Sequence, residues 1–193
     1  MKKTMMLLSV LALGALLAAC GSDAKSGRTV KREIVVDPVI RDAIATVHVD
    51  GDRSRMHLNL PDSLPELDID PAKMQQAIIN VLSNAYKYSP QGGPIDITAR
   101  QRSLGGTGQL AIVISDHGMG MTHDQVARVF ERFYRADPSG HIPGTGLGMS
   151  LVKEIMESHG GSVELDSEIG AGTSVSLWLP VHDGASAAPA LLH

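Results

Sequence analysis

The sequence predicts an α+β fold, a two-layer α/β sandwich in which helices pack on one face of a mixed sheet. Helix and strand signals alternate along the chain, and the cap-proline pairs Asp37-Pro38 and Asp70-Pro71 mark two helix starts. The nearly continuous apolar run at residues 110–114 predicts a buried strand. Elements of both kinds, each with one apolar face, are expected to bury those faces by packing helices on a sheet.

The first half of the domain follows from these signals. We expect Asp37 to cap a helix that reaches Val47, and the alternating residues 55–60 to form a strand. Asp70 is expected to cap the longest helix, which runs to Tyr88 and is stopped by Ser89-Pro90. Residues 95–102 and 110–115 are predicted as strands joined by a glycine-rich hairpin turn at residues 104–108.

The second half begins with a capping box. Thr122 and Gln125 have the spacing of that motif and predict a short helix that ends near Arg132. Residues 133–145 are expected to form a loop, and residues 146–159 a helix that Gly160-Gly161 terminates. Strands at residues 162–165 and 173–179, around a glycine turn at residues 170–172, complete the sheet.

Composition limits the possible functions. The chain has 193 residues, 43% of them apolar, and a net charge of −4 without a long basic run, which gives nucleic-acid binding little support. A single cysteine excludes an internal disulfide.

The N-terminus has the layout of a secretory leader. A basic start, Met1-Lys2-Lys3, precedes an apolar stretch that ends in Leu17-Ala18-Ala19-Cys20. It resembles a bacterial lipoprotein signal in which Cys20 is acylated, and this predicts membrane association; an uncleaved anchor or an artificial fusion remains the alternative. We therefore expect a leader at residues 1–20, a linker at 21–32, the domain at 33–182 and a loose tail at 183–193.

A line of polar side chains follows one edge of the long helix. Asn80, Asn84 and Lys87 are spaced i, i+4 and i+7, so they fall beside the apolar stripe of that helix. Amide oxygens suit Mg²⁺ and an ammonium suits a phosphate oxygen. A solvated helix face explains the same pattern equally well.

Asp116 follows the predicted buried strand and is itself followed by Gly118 and Gly120. A carboxylate at a strand end can accept from the amino group of a base, and the glycines allow close approach of the backbone to a ligand. The alternative is an ordinary turn.

Three glycines, Gly144, Gly146 and Gly148, stand where a loop becomes a helix. Exposed amides and the positive end of a helix form a seat for anions. The long connection before them carries three aromatic residues and Arg135. We interpret it as a lid that the aromatics anchor, without ligand contact of their own, and from which Arg135 reaches a terminal phosphate.

Together these motifs resemble the catalytic ATP-binding domain of bacterial sensor histidine kinases, in the GHKL superfamily, over residues 33–181. The matching positions are Asn80 and Asn84 for the N box, Asp116, Gly118 and Gly120 for the first glycine box, residues 130–135 for the F box, Gly144, Gly146 and Gly148 for the second glycine box, and residues 170–173 for the last glycine turn.

The resemblance implies ATP and Mg²⁺ as cofactors. Asn84 would ligate Mg²⁺ with Asn80 supporting the site, Lys87 would contact phosphate, Asp116 would bind the adenine amino group, and Arg135 would assist γ-phosphoryl transfer. The implied catalytic residues are Asn80, Lys87 and Arg135. The implied nucleotide-binding residues are Asn80, Asn84, Lys87, Tyr88, Asp116, Gly118, Gly120, Gly144, Thr145, Gly146, Leu147, Gly148 and Thr173.

The implied partners are a histidine phosphoacceptor domain and a response regulator, both acting in trans. The twelve residues between leader and domain are too few for the dimerising hairpin of a histidine kinase, so we expect a monomer. His123 precedes an acidic residue, as a phosphoacceptor histidine normally does, but it lies in the predicted lid and is a poor phosphoacceptor.

Two other functions remain open. One is a serine kinase of the anti-sigma-factor type, which shares the pocket and needs no attached phosphoacceptor. The other is an exported lipoprotein that keeps a non-catalytic remnant of the fold, because a lipoprotein leader would export the domain whereas ATP use requires the cytoplasmic face.

Overall fold

The computed structural model describes residues 30–47, 53–137, 142 and 144–181. The predicted leader with Cys20 and the predicted tail lie outside these residues, as does most of the predicted linker. Among the described helices, none combines the length and apolar character needed to cross a membrane.

The described chain forms seven strands and four helices. In order they are β1 (Arg32–Val35), α1 (Asp37–Thr46), β2 (Met56–Asn59), β3 (Glu66–Ile69), α2 (Pro71–Lys87), β4 (Ile95–Leu104), β5 (Thr107–Asp116), α3 (His123–Arg128), α4 (Gly148–Ser158), β6 (Ser162–Glu168) and β7 (Gly172–Pro180), with a short 3₁₀ turn at Arg53–Arg55 before β2.

Five strands form the main sheet in the order β2-β4-β5-β7-β6. β2 runs parallel to β4, and the remaining neighbours are antiparallel. The buried residues of α1, α2 and α4 and the inward residues of this sheet form one apolar core. It includes Leu82 from α2, Ile112 from β5 and Leu177 from β7. The predicted two-layer sandwich, with a mixed sheet and helices on one face, is confirmed.

Local chemistry explains where the elements begin and turn. Asp70 caps α2 by accepting from the amides of Ala72 at 3.1 Å and Lys73 at 3.2 Å. Gln125 N donates to Thr122 Oγ1 at 3.2 Å and Thr122 N to Gln125 Oε1 at 2.8 Å, which is the predicted capping box.

The β4–β5 hairpin turns through Gly105 and Gly106, which have φ of 60° and 86°. A two-residue turn with both φ values positive matches the right-handed twist of the flanking strands.

Two sequence expectations were wrong, and one small sheet was missed. Asp37 does not cap α1, because Val36 holds the cap position and Asp37 lies inside the first turn, paired with Arg41 at 2.8 Å. α3 ends at Arg128 rather than near Arg132, and the turns that follow take Phe133 to a positive φ of 65°. The small antiparallel sheet of β1 and β3 was not predicted, because Arg32–Val35 shows no apolar alternation and that of Glu66–Ile69 spans only four residues, against six at residues 55–60.

Candidate functional site

A cavity of about 240 Å³ lies between α2, the end of β5 and the start of α4. Twelve of the predicted site residues line it: Asn80, Asn84, Lys87, Tyr88, Asp116, Gly120, Arg135, Gly144, Thr145, Gly146, Gly148 and Thr173. Gly118 and Leu147 are not among the residues that line it. The fold therefore brings residues from all the predicted motifs to one place, while their individual roles stay predictions.

The side-chain amides of Asn80 and Asn84 on α2 face the start of α4. A Cβ placed on Gly148 would lie 3.5 Å from Asn80 Oδ1 and 3.9 Å from Asn84 Nδ2. Because Gly148 has no side chain, the carboxamides stand close to the backbone that begins α4. Amide oxygens and the positive end of a helix then share one side of the cavity, a combination that suits an oxyanion together with a hard cation.

Asp116 lies at the other end of the cavity and is 8% exposed. Its Oδ1 accepts from Gly118 N at 2.8 Å and from Ser89 Oγ at 3.3 Å. Burial raises the pKa of this carboxyl, and the hydrogen bonds from Gly118, Ser89 and Thr173 oppose that rise. Gly118 thus orients Asp116 through its backbone amide. A Cβ on Gly118 would overlap the carbonyl oxygen of Tyr88.

The cavity that Asp116 lines also has an apolar wall. Inward residues of three strands, Ile114, Leu165 and Val175, line the cavity together with Met119 and Met149. A carboxylate inside an apolar slot can bind a flat heterocycle that carries an amino group. These wall residues were not proposed for the site from the sequence, and the signal that marks them is the inward alternation of the strands.

Two of the predicted glycines that line the cavity stand in close contact with neighbouring backbone. Gly120 has φ of 63°, and a Cβ there would overlap the carbonyl of Glu168. Gly146 has φ of 71°, and a Cβ there would lie 2.6 Å from the carbonyl carbon of Phe133. Phe133 N donates to Gly146 O at 2.9 Å, so the predicted lid and the glycine-rich loop are held together at this point.

The aromatic residues of the lid have three different environments. Phe130 packs against the core, as an anchor would. Phe133 is 73% exposed and does not anchor the lid. Tyr134 lines the cavity, with the guanidinium of Arg128 at 4.4 Å from its ring centroid, so the expectation that the aromatics stay away from the pocket does not hold for its position.

Arg135 and Tyr88 both line the cavity and are held by neighbouring backbone groups. Arg135 Nη2 donates to Ile142 O at 2.6 Å, so its guanidinium is held by the lid backbone in this structure. Burial raises the pKa of Tyr88, and its carbonyl oxygen accepts from Met119 N at 3.0 Å. Leu147, 37% exposed, occupies the cap position of α4.

Known proteins resemble this chain in sequence and in fold. A family model for the histidine kinase-, DNA gyrase B- and HSP90-like ATPases matches residues 69–183. The adaptive-response sensory kinase SasA of Synechococcus elongatus is 31% identical over 86% of this chain, and the sensor histidine kinase WalK of Bacillus subtilis is 39% identical over 63% of it. The chain spans 43% and 20% of the lengths of these two relatives.

Solved structures agree with the sequence comparison. The mycobacterial sensor histidine kinase MprB superposes with a TM-score of 0.65 at 30% identity, over 78% of this chain and 97% of that one. Full-length ShkA, solved in complex with AMPPNP, shares the fold with a TM-score of 0.64 at 22% identity, over 79% of this chain and 31% of that one. The family match covers more than half of the chain, and the chain therefore belongs to the histidine kinase-, DNA gyrase B- and HSP90-like ATPases.

Proposed function

We propose that the chain is the Mg-ATP-binding catalytic domain of a two-component sensor histidine kinase, which phosphorylates a histidine on a separate dimerisation domain. The observation that carries this proposal is one cavity lined by the amides of α2, the buried carboxylate that ends β5 and the start of α4. Relatives named as sensor histidine kinases support the choice within the ATPase family.

The phosphate end of the cavity is assigned to α2 and α4. Asn84 would hold Mg²⁺ through its amide oxygen with Asn80 supporting it, because oxygen donors are those that this cation prefers. The glycine at the start of α4 leaves room for phosphate oxygens near exposed amides. Bound there, Mg²⁺ would supply charge neutralisation to the transferring phosphoryl group.

The base end is assigned to Asp116. Its Oδ1 already accepts from Gly118 and Ser89, which fixes the orientation of the carboxylate within the apolar wall. A purine would stack against that wall and donate its amino hydrogen to the carboxylate. A base that lacks the amino group would lose this hydrogen bond.

Two basic residues are assigned to the phosphates. Lys87 would neutralise a phosphate oxygen from α2, and Arg135 would assist transfer from the lid side of the cavity. Since Arg135 donates to Ile142 O, contact with the terminal phosphate requires that this hydrogen bond be exchanged for a phosphate oxygen. The reaction forms a bond between phosphorus and an imidazole nitrogen, breaks the bond to the bridging oxygen and leaves ADP.

Binding and transfer are tested separately. We expect the chain to bind Mg-ATP, and Asn84→Ala to lose most of that affinity in a calorimetric titration. Supplied with a phosphoacceptor domain and radioactive ATP, the chain should form an acid-labile phosphohistidine. Acid-stable phosphoserine on a partner would instead identify the serine-kinase alternative, and unchanged affinity in Asn84→Ala would refute the metal assignment.

The N-terminal prediction is kept as a separate proposal. We propose that residues 1–20 direct the chain to a membrane, with acylation of Cys20, and that the chain is a monomer. Radioactive palmitate incorporated by the wild type and not by Cys20→Ser would support acylation. Protease access in intact cells would then show on which side of the membrane the domain lies, and a domain outside would favour the exported remnant.

A further inference from the structure

A buried histidine lies far from the cavity, at the end of α4. His159 is 2% exposed, with Nδ1 at 2.7 Å from Ile155 O and Nε2 at 2.9 Å from Asp70 N. The amide of Asp70 can only donate and the carbonyl of Ile155 can only accept. These partners therefore select the neutral tautomer that carries its proton on Nδ1.

The backbone that His159 binds belongs to a junction of three chain segments. Asp70 follows β3 and caps α2, and its Oδ2 accepts from Val30 N at 2.9 Å. The chain that enters the domain, the start of α2 and the end of α4 therefore meet at one aspartate. Those two helices carry the carboxamides of Asn80 and Asn84 and the glycine start of α4, which form the phosphate end of the cavity.

α4 runs antiparallel to α2 and makes contact with it at both ends. Its C-terminal end is fixed by His159 to Asp70, while its first residue, Gly148, lies against Asn80. Gly148 and His159 are eleven positions apart, which corresponds to about 16 Å of helix. Because a helix of this length moves as a rigid rod, a shift at one end is transmitted to the other.

We propose that His159 is a positioning residue for the phosphate end of the nucleotide site, because its hydrogen bond to Asp70 fixes the register of α4 against α2. The inference rests on the proposed function, since it concerns the affinity of the same cavity for Mg-ATP. It assigns no role to His159 at the base end, where Asp116 and the walls of the sheet would hold adenine.

The protonation state of His159 matters to this contact. Burial lowers the pKa of its imidazole; the acceptor at Ile155 and the carboxylate of Asp70 oppose that shift, and the charges of Lys31 and Lys73 add to it. Lys31 reaches it from the segment before β1, whereas Asp70 and Lys73 belong to the start of α2. If Nε2 of His159 were protonated, both it and the amide of Asp70 would be donors, and the hydrogen bond between them would be lost.

Two conservative variants separate the hydrogen bonds of His159. Gln can place an acceptor near the position of Nε2, whereas Asn can place a donor near that of Nδ1 and leaves Asp70 N without a partner. In the full chain we expect His159→Asn to weaken Mg-ATP binding roughly five- to tenfold. His159→Gln should stay close to the wild type, and adenosine should bind all three chains alike. Calorimetry gives the Mg-ATP affinities, nuclear magnetic resonance those for adenosine, and thermal unfolding compares stability.

A pH series provides a readout that does not require His159→Asn to fold. As the pH falls towards acidity, the affinity of the wild type for Mg-ATP should decline relative to that of His159→Gln, whereas the titration of ATP itself affects both equally. The proposal is overturned if the two pH profiles coincide, if His159→Asn binds Mg-ATP like the wild type, or if it loses adenosine and Mg-ATP affinity to the same degree. A wild-type chain that binds adenosine but not Mg-ATP would overturn the proposed function as well.

Discussion

Asp116→Asn gives the sharpest test of the base end of the site. The substitution keeps the shape of the side chain and replaces one oxygen by an amide nitrogen that donates. Gly118 N at 2.8 Å and Ser89 Oγ at 3.3 Å both donate to Asp116 Oδ1. The asparagine therefore has to place its one side-chain oxygen at the Oδ1 position, where it can accept from both. The new NH₂ group is then directed towards the ligand, where it meets the adenine amino group as a second donor.

The expected loss follows from that mismatch. A hydrogen bond to a charged group is worth about 2 kcal/mol, which corresponds to roughly a thirtyfold weaker affinity for Mg-ATP.

The same substitution should not lower the folding stability of the apo chain. Burial raises the pKa of Asp116 in the folded chain above its ordinary value of 3.8. Protonated Asp116 therefore contributes its full share of folding stability below pH 3.8, and this contribution is lost as the pH rises through the pKa of the folded state. Asparagine cannot ionise, so the apo variant should be at least as stable at neutral pH.

The assay compares Mg-ATP with Mg-ITP, whose base carries an oxygen in place of the amino group. Asp116→Asn should lose affinity for Mg-ATP and keep or gain affinity for Mg-ITP, while the exposed Asp166→Asn, on β6, should match the wild type. Equal Mg-ATP affinity in Asp116→Asn and the wild type would refute the assignment, and so would parallel losses for both nucleotides in a variant that unfolds at the wild-type urea concentration.

Three other outcomes are expected. Gly120→Ala should lower the free energy of unfolding in urea by several kcal/mol more than Gly105→Ala, because both have positive φ but a Cβ meets a neighbouring carbonyl only at Gly120; equal losses would contradict this. Leu82→Ala, fully buried on α2, should cost about 3 kcal/mol in the same measurement, and a loss below about 1 kcal/mol would argue against the packed core. Arg102→Ala should shift the fluorescence of Trp178, the single tryptophan, to longer wavelength, because the guanidinium lies 3.6 Å from its ring; an unchanged spectrum would show that the ring is covered without it.

Strong local signals made much of the fold predictable. Asp70 caps α2, Thr122 and Gln125 form a capping box, and the glycine pair turns the β4–β5 hairpin, because each depends on residues adjacent in sequence. The apolar stripe of α2 likewise placed its three polar residues on one edge. The prediction failed where the local signal was ambiguous, as at Asp37, and where the alternating pattern was absent or too brief, as in β1 and β3.

The candidate site divides in the same way. Its polar residues were predictable because amides, a carboxylate and glycines are conspicuous in sequence at a helix edge, a strand end and a helix start. Its apolar wall was not, because Ile114, Leu165 and Val175 look like any other core residues until the sheet brings three strands side by side.

The sequence by itself determined the elements, the order of the motifs and the class of ligand that they suit. The tertiary structure alone decided that Asp116 accepts from Ser89, 27 positions away, and that His159 joins α4 to Asp70 across 89 positions of the chain. The physical reason is that caps and turns depend on neighbours along the chain, whereas these contacts depend on the register in which distant elements pack, and no local pattern encodes that register.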